Sequence, residues 1–340
     1  MAVSSARPAS EFGLARFFEK RGIPEIVIFA GKGGLGKTTS SAALSHYLSQ
    51  DLGKRTLCFS TDPQASLSDI FEQNFYGQGV TELKPKLNVI EIDADRRVAA
   101  YQAEVKQKIK DLHGLDEVPP EIEEYIDSTS AEPAMYESAT YDAMAELVGK
   151  REFEHYVFDM PPFGHGVRMV AMADILSKWV EKITEARGKV QEYDAVAATL
   201  KGQKVSEDAV MGELMAIKEK IKTFTDLIVD RKRTAFFMVL IPEKMAILDT
   251  DRALGMFHAL GIDMSGIVVN QVYPAELLDK PNLSNLLRNR IEMQQRYLQE
   301  IKTKFGEYLV AAIPMYDREP KGMDMIARAS VDLMNSPVRI

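Results

Sequence analysis

Seven short apolar runs, rich in β-branched and aromatic residues, punctuate the chain: EIVIFA (25–30), RTLCFS (55–60), LNVIEID (87–93), HYVFDM (155–160), TAFFMVLIP (234–242), GIVVNQVY (266–273) and EYLVAAIP (307–314). Between most of them apolar positions return with helical spacing, as over Thr38–Gln50 and Asp249–Leu260. Near-continuous hydrophobic runs alternating with helices predict an α/β fold, a parallel sheet covered by helices on both faces.

Two stretches break this rhythm. Residues 95–154 contain helical segments, VAAYQAEVKQKIKDL (98–112) and YESATYDAMAELV (136–148), around a proline-rich loop. Residues 167–233 contain no convincing strand; VRMVAMADILSKWVEKI (167–183) and EDAVMGELMAIKEKIKTF (207–224) have helical periodicity. Both stretches are expected to form helical insertions that pack into one subdomain. The first 20 or so residues read as a mobile arm or a short docking helix.

Composition narrows the functional classes. A net charge of −8 argues against a general nucleic-acid binder, because phosphate backbones attract basic surfaces. The single cysteine, Cys58, excludes an internal disulfide framework and any site needing several thiolates from one chain. The first residues lack the apolar core of a signal peptide, and no run approaches about 18 apolar residues. The expectation is a cytoplasmic protein with no direct membrane insertion.

The chemistry is concentrated in FAGKGGLGKTT (29–39). Gly31, Gly36, Lys37 and Thr38 satisfy G-x-x-x-x-G-K-[ST] between an apolar run and a helix-forming run. Glycines allow the backbone N–H groups to turn inward around phosphates, at the positive end of the following helix. Lys37 is expected on the β- and γ-phosphates, and the Thr38 hydroxyl on Mg²⁺. Gly33, Gly34 and Thr39 complete the candidate ATP cradle. The fold expectation becomes a P-loop NTPase-like sheet with an inserted α-helical subdomain. In outline, it comprises an arm (1–24), a nucleotide-binding domain (25–94, 155–166 and 234–334), the helical subdomain (95–154 and 167–233) and a tail (335–340).

A phosphate loop needs one lysine, and this one has a second, Lys32. The pattern G-K-G-G-x-G-K-T-T resembles the deviant Walker A loop of a class that includes nitrogenase iron protein, MinD, ParA and the ArsA/Get ATPases. Further segments resemble the ArsA/Get family in order along the chain: FSTDPQASLSDIF (59–71), YVFDMPPFGHGVRMV (156–170), IPEKMAILDTDRAL (241–254), GIVVNQVYP (266–274) and IPMYDREPKGMD (313–324). That family holds arsenite-pump ATPases and tail-anchored-protein targeting factors. The resemblance implies that Lys32 reaches the nucleotide of a facing subunit, and hence a nucleotide-dependent homodimer. It implies that Asp62 in switch I orients the attacking water and that Asp159 holds Mg²⁺ through water. Ser66 and Asp69 fall in switch I; Gly164, His165 and Arg168 fall in switch II. Asn270 would read adenine, and Pro314, Met315, Tyr316 and Asp317 would form the adenine loop.

Departures from the family pattern bear on the partner. Ala65 stands where the family often has histidine, and Phe163 replaces a small hydroxyl residue. The zinc-binding C-x-x-C of the eukaryotic targeting factors falls near Ser284 and Leu287, so no zinc is expected. Met169, Met172, Met211 and Met215 suit a client groove or equally an ordinary helix-packing core. The intervening 189–208 is polar, which suits a lid or a more polar partner. Three readings follow: an ATP switch holding a hydrophobic tail-anchor-type client or engaging a membrane-protein partner, the ATPase subunit of an arsenite or anion pump, and a MinD- or ParA-like switch for another protein. A metabolic kinase is a more distant fourth. The cysteine count disfavours the pump, and the carboxy-terminal ASVDLMNSPVRI lacks a basic amphipathic membrane helix.

Overall fold

Eight strands form one sheet in the order β3-β4-β2-β5-β1-β6-β7-β8 in a computed structural model that describes residues 12–61, 65–113, 133–160 and 222–338, with isolated positions 117, 118, 120, 123, 219 and 340. The strands are β1 (Ile26–Ala30), β2 (Thr56–Ser60), β3 (Thr81–Lys84), β4 (Leu87–Glu91), β5 (His155–Asp159), β6 (Thr234–Leu240), β7 (Met264–Val272) and β8 (Leu309–Pro314). Every pairing is parallel except β3 with β4. All residues of β1, β2, β5 and β6 are buried, which requires cover on both faces and explains why these segments read as unbroken apolar runs.

The sheet differs from expectation at one edge. Residues 81–84, TELK, form an eighth strand that the seven apolar runs do not include. Its residues alternate between half-buried and exposed, so it carries no continuous apolar signal; it folds back antiparallel on β4 as an edge strand.

The helices among the described residues are α1 (Leu14–Arg21), α2 (Lys37–His46), α3 (Ser66–Phe71), α4 (Ala94–His113), α5 (Pro133–Gly149), α6 (Lys244–Ala259), α7 (Asn285–Phe305) and α8 (Gly322–Asn335). The two helical pieces expected within 95–154 fall inside α4 and α5, which pack on each other. Most of 167–233 lies outside the described residues, including all four methionines singled out above; 222–229 is helical. α2 is buried almost all round. Its Ser40, Ser41, Ala42, Ala43 and Ser45 keep it thin enough to lie between α8 and β1, β2 and β5. It ends in a π-helical turn, Tyr47–Asp51, where the Ser49 hydroxyl donates to Ser45 O at 2.7 Å.

α1 docks on the sheet domain. Leu14 and Phe18 are buried, and Phe17 and Phe18 meet Phe237 of β6 edge-on at centroid distances of 5.2 and 6.3 Å. Phe29 lies 5.7 Å from the same ring. We expect Phe237→Ala to cost about 3–5 kcal/mol in urea unfolding and to release α1 to proteolysis. A second prediction concerns acid. Arg97 of α4 and Lys150 both pair with Glu146 of α5 and hold its carboxyl down at about 2, against an ordinary 4.5. A depressed carboxylate stabilises the fold above its unfolded value and loses that contribution as pH falls through its folded one. Stability should therefore decline from about pH 4.5 toward 2, and Glu146→Gln should flatten that limb of the curve.

Candidate nucleotide site

Strand register sets the site. Phe29 of β1 pairs with Asp159 of β5, which pairs in turn with Ser60 of β2, so three strands end at the same level. The chain from β1 passes to β2 on one side of the sheet, and the chain from β5 passes to β6 across β1. The carboxyl ends at such a reversal open the crevice where α/β sheets bind ligands.

The loop Gly31–Gly36 leaves β1 at this point. Gly36 has φ +97°, and a Cβ there would run into the Asn270 side-chain amide; at Gly31 a Cβ would lie 2.6 Å from Val239 O. Only glycine lets the backbone follow this course. Lys37 is buried at the first position of α2, its ammonium donating to Lys32 O at 3.3 Å, and among the described residues no ion pair engages it. A buried cation with a neutral partner, at the positive end of a helix, calls for an anion. One residue on, Thr38 Oγ1 donates to Asp159 Oδ2 at 2.7 Å, and Asp159 is fully buried. A hydroxyl and a carboxylate in contact at the loop's mouth are the oxygen donors a magnesium site uses, so these residues fit both triphosphate and Mg²⁺.

The remaining residues sort by place. Ser66 opens α3 and joins this cluster, its hydroxyl 3.4 Å from Asp159 Oδ2 and 3.2 Å from Ser60 Oγ. Asp69 is exposed on α3, one turn further. Lys32 is half-exposed and its Nζ lies 3.2 Å from Asp249 Oδ2 on α6. Asp62, Gly164, His165 and Arg168 lie outside the described residues. Asn270 stands beside the loop, its amide donating to Leu35 O at 2.9 Å. Met315 N donates to Val272 O at 2.9 Å, and Tyr316 OH to Asp332 at 3.1 Å, tying 314–317 to β7 and α8. Burial and the Asp332 carboxylate raise the Tyr316 phenol well above its ordinary value. Ser284 is the N-cap of α7, its hydroxyl accepting from Leu287 N at 3.3 Å.

Two residues here had no sequence signal. Gln294 of α7 accepts from Tyr273 N at 2.7 Å and donates to Gln271 O at 2.8 Å. It clamps Gln271, whose φ of +58° is strained for a side chain of that size, directly after Asn270. Asp249 lies in the segment IPEKMAILDTDRAL, yet nothing there marks it as the partner of Lys32.

A parallel sheet carrying a glycine-rich loop, buried lysine, magnesium-type hydroxyl and facing carboxylate defines a phosphate-loop nucleotide-binding protein. The anion-transporting ATPase family model matches residues 24–335, and the chain belongs to that family. It is 32% identical over 307 residues to the putative arsenical pump-driving ATPase 2 of Aquifex aeolicus, covering 90% of this chain and 97% of that protein. It is 28% identical to ATPase ASNA1 homolog 1 of Paramecium tetraurelia (88% of each) and 28% identical to ATPase GET3A of Arabidopsis thaliana (88% of this chain, 81% of that one).

Gly36→Ala tests the cradle. The backbone at positive φ alone should cost about 1–2 kcal/mol, with loss of ATP binding by titration calorimetry. Adding Asn270→Ala removes the clash and should recover part of the stability, measured by thermal unfolding.

Proposed function

We propose that this ATPase works in the cytoplasm as a nucleotide-dependent homodimeric switch, coupling ATP binding and hydrolysis to the opening and closing of helical arms that hold a client. The observation that carries this reading is the placement of Lys32: half-exposed, its ammonium is held by Asp249 on α6 rather than turned onto its own loop. An outward cation on a phosphate loop is suited to the nucleotide of a second subunit. There it would offset charge spreading over phosphate oxygens as the γ-phosphoryl leaves.

Within one subunit the roles divide by chemistry. Lys37 binds the β- and γ-phosphates. Thr38 and Asp159 would hold Mg²⁺, which when bound neutralises charge on the phosphate oxygens. Asp62 accepts a hydrogen bond from the attacking water and so aligns it. Asn270 and the 314–317 loop receive the base. Ser66, on α3, and Gly164, His165 and Arg168, at the entrance to the second insertion, sense the γ-phosphate and pass its loss to the helices. The client is a hydrophobic tail-anchor-type segment, by resemblance to the targeting branch of the family.

The pump reading is weighed by Cys58. Soft thiolates are what would recognise arsenite, and Cys58 is fully buried in β2 with its thiol pushed up to about 12. The protein among the described residues has no helix long and apolar enough to cross a membrane.

Lys32→Ala should retain ATP binding while losing turnover by at least about a hundredfold, together with ATP-dependent dimerisation in light scattering. Full activity as a monomer would remove the assigned role. Asp62→Asn, co-expressed with a tagged tail-anchored membrane protein, should trap a soluble complex. Arsenite-stimulated hydrolysis by the purified protein would instead favour the pump.

A further inference from the structure

A buried carboxylate outside the nucleotide cradle grips α3. Glu91, the last residue of β4, is 1% exposed. Its Oε1 accepts from Leu67 N at 2.7 Å; its Oε2 accepts from Ser68 N at 3.2 Å and from Ser68 Oγ at 2.5 Å. Ser68 Oγ in turn accepts from Phe75 N at 2.9 Å, closing the far end of the same segment. Burial pushes the Glu91 carboxyl above its ordinary range, and these donors oppose that. A group so placed is costly to leave without its partners.

What lies on either side of Glu91 gives the grip a direction. One residue before Leu67, Ser66 reaches Asp159, the partner of Thr38. Two residues after Glu91, Asp93 caps α4, accepting from Arg96 N at 2.9 Å, while the Arg96 guanidinium donates to Gly77 O at 3.1 Å. Gly77 N donates to Glu91 O at 3.2 Å. α3 itself rides on a small apolar cluster of Leu67, Ile70, Phe71 and Phe75 with Cys58, Val89 and Ile326, separate from the main core. That seat is separate from the main core, and Glu91 is the polar tether of the segment to the strand that leads into α4.

We infer that Glu91 is a positioning residue that transmits the state of the nucleotide site, through Ser66 and Ser68 on α3, to α4. The inference rests on the switch reading above. It requires no contact between Glu91 and nucleotide, so binding and transmission should separate.

The test uses Glu91→Gln and the gentler Ser68→Ala, which removes one hydroxyl and leaves both backbone bonds. Hydrogen exchange across 94–113 is compared with ADP and with a slowly hydrolysed ATP analogue, alongside ATP affinity, kcat and thermal stability. Wild-type protein should show a nucleotide-dependent difference in α4. Both variants should bind ATP within about twofold of wild type, lose that difference, and fall at least about tenfold in kcat for Glu91→Gln. If wild type shows the difference and the folded variants keep it, the role of Glu91 is overturned and the switch reading stands. If wild type shows none, the switch reading fails and this inference with it. Affinity, stability and kcat falling together in Ser68→Ala, with the exchange difference kept, would mark the tether as structural support alone.

Discussion

The contact between Thr38 and Asp159 joins the first turn of α2 to the end of β5, 121 residues further along the chain. The candidate nucleotide site is arranged around it. It holds the loop's helix against the strand that ends at the level of Ser60 and Phe29, so three strand ends and one helix start share a corner. Asp159 is wholly buried, and a carboxylate kept from water is tolerable only where donors or a cation meet it. The same demand that makes the corner polar suits it to a metal and a triphosphate.

Around this corner lie braces of different stiffness. On the β7 side the loop is backed by Asn270, and Asn270 is backed by Gln294 through the strained Gln271. Those are amides and carbonyls, neutral groups that fix geometry without responding to charge. On the β2 side the contacts are hydroxyls and carboxylates: Ser60, Ser66, Asp159, Ser68 and Glu91. Hydroxyls can reverse donor and acceptor roles by rotation, so this side can follow a change in the charge it faces. The fixed wall and the responsive wall fall on opposite flanks of one loop.

Much of this was legible in the sequence for local reasons. The loop, its strand and its helix announce themselves because glycine freedom, the lysine and the hydroxyl must be adjacent in the chain to act together. Buried parallel strands announce themselves as apolar runs. β3 did not, because a half-exposed edge strand is written as TELK. Asn270 on Leu35, Lys32 on Asp249 and Glu91 on Ser68 were equally silent as contacts, since each joins residues that are 235, 217 or 23 positions apart and no spacing rule connects them. Lys32 and Asn270 stand in segments that resemble the family, but their partners are a product of the fold.

The burial of Cys58 has a practical consequence. The sole sulfhydryl sits in the middle of β2, sealed from solvent and strongly disfavoured as thiolate, so alkylating agents and mild oxidants have no purchase on the native molecule. Modification must await an opening that lifts the cover of α3 and its cluster from β2. Nature has thus left a single built-in dosimeter of opening, and its labelling rate reads how often the cover of β2 lifts without any engineered probe.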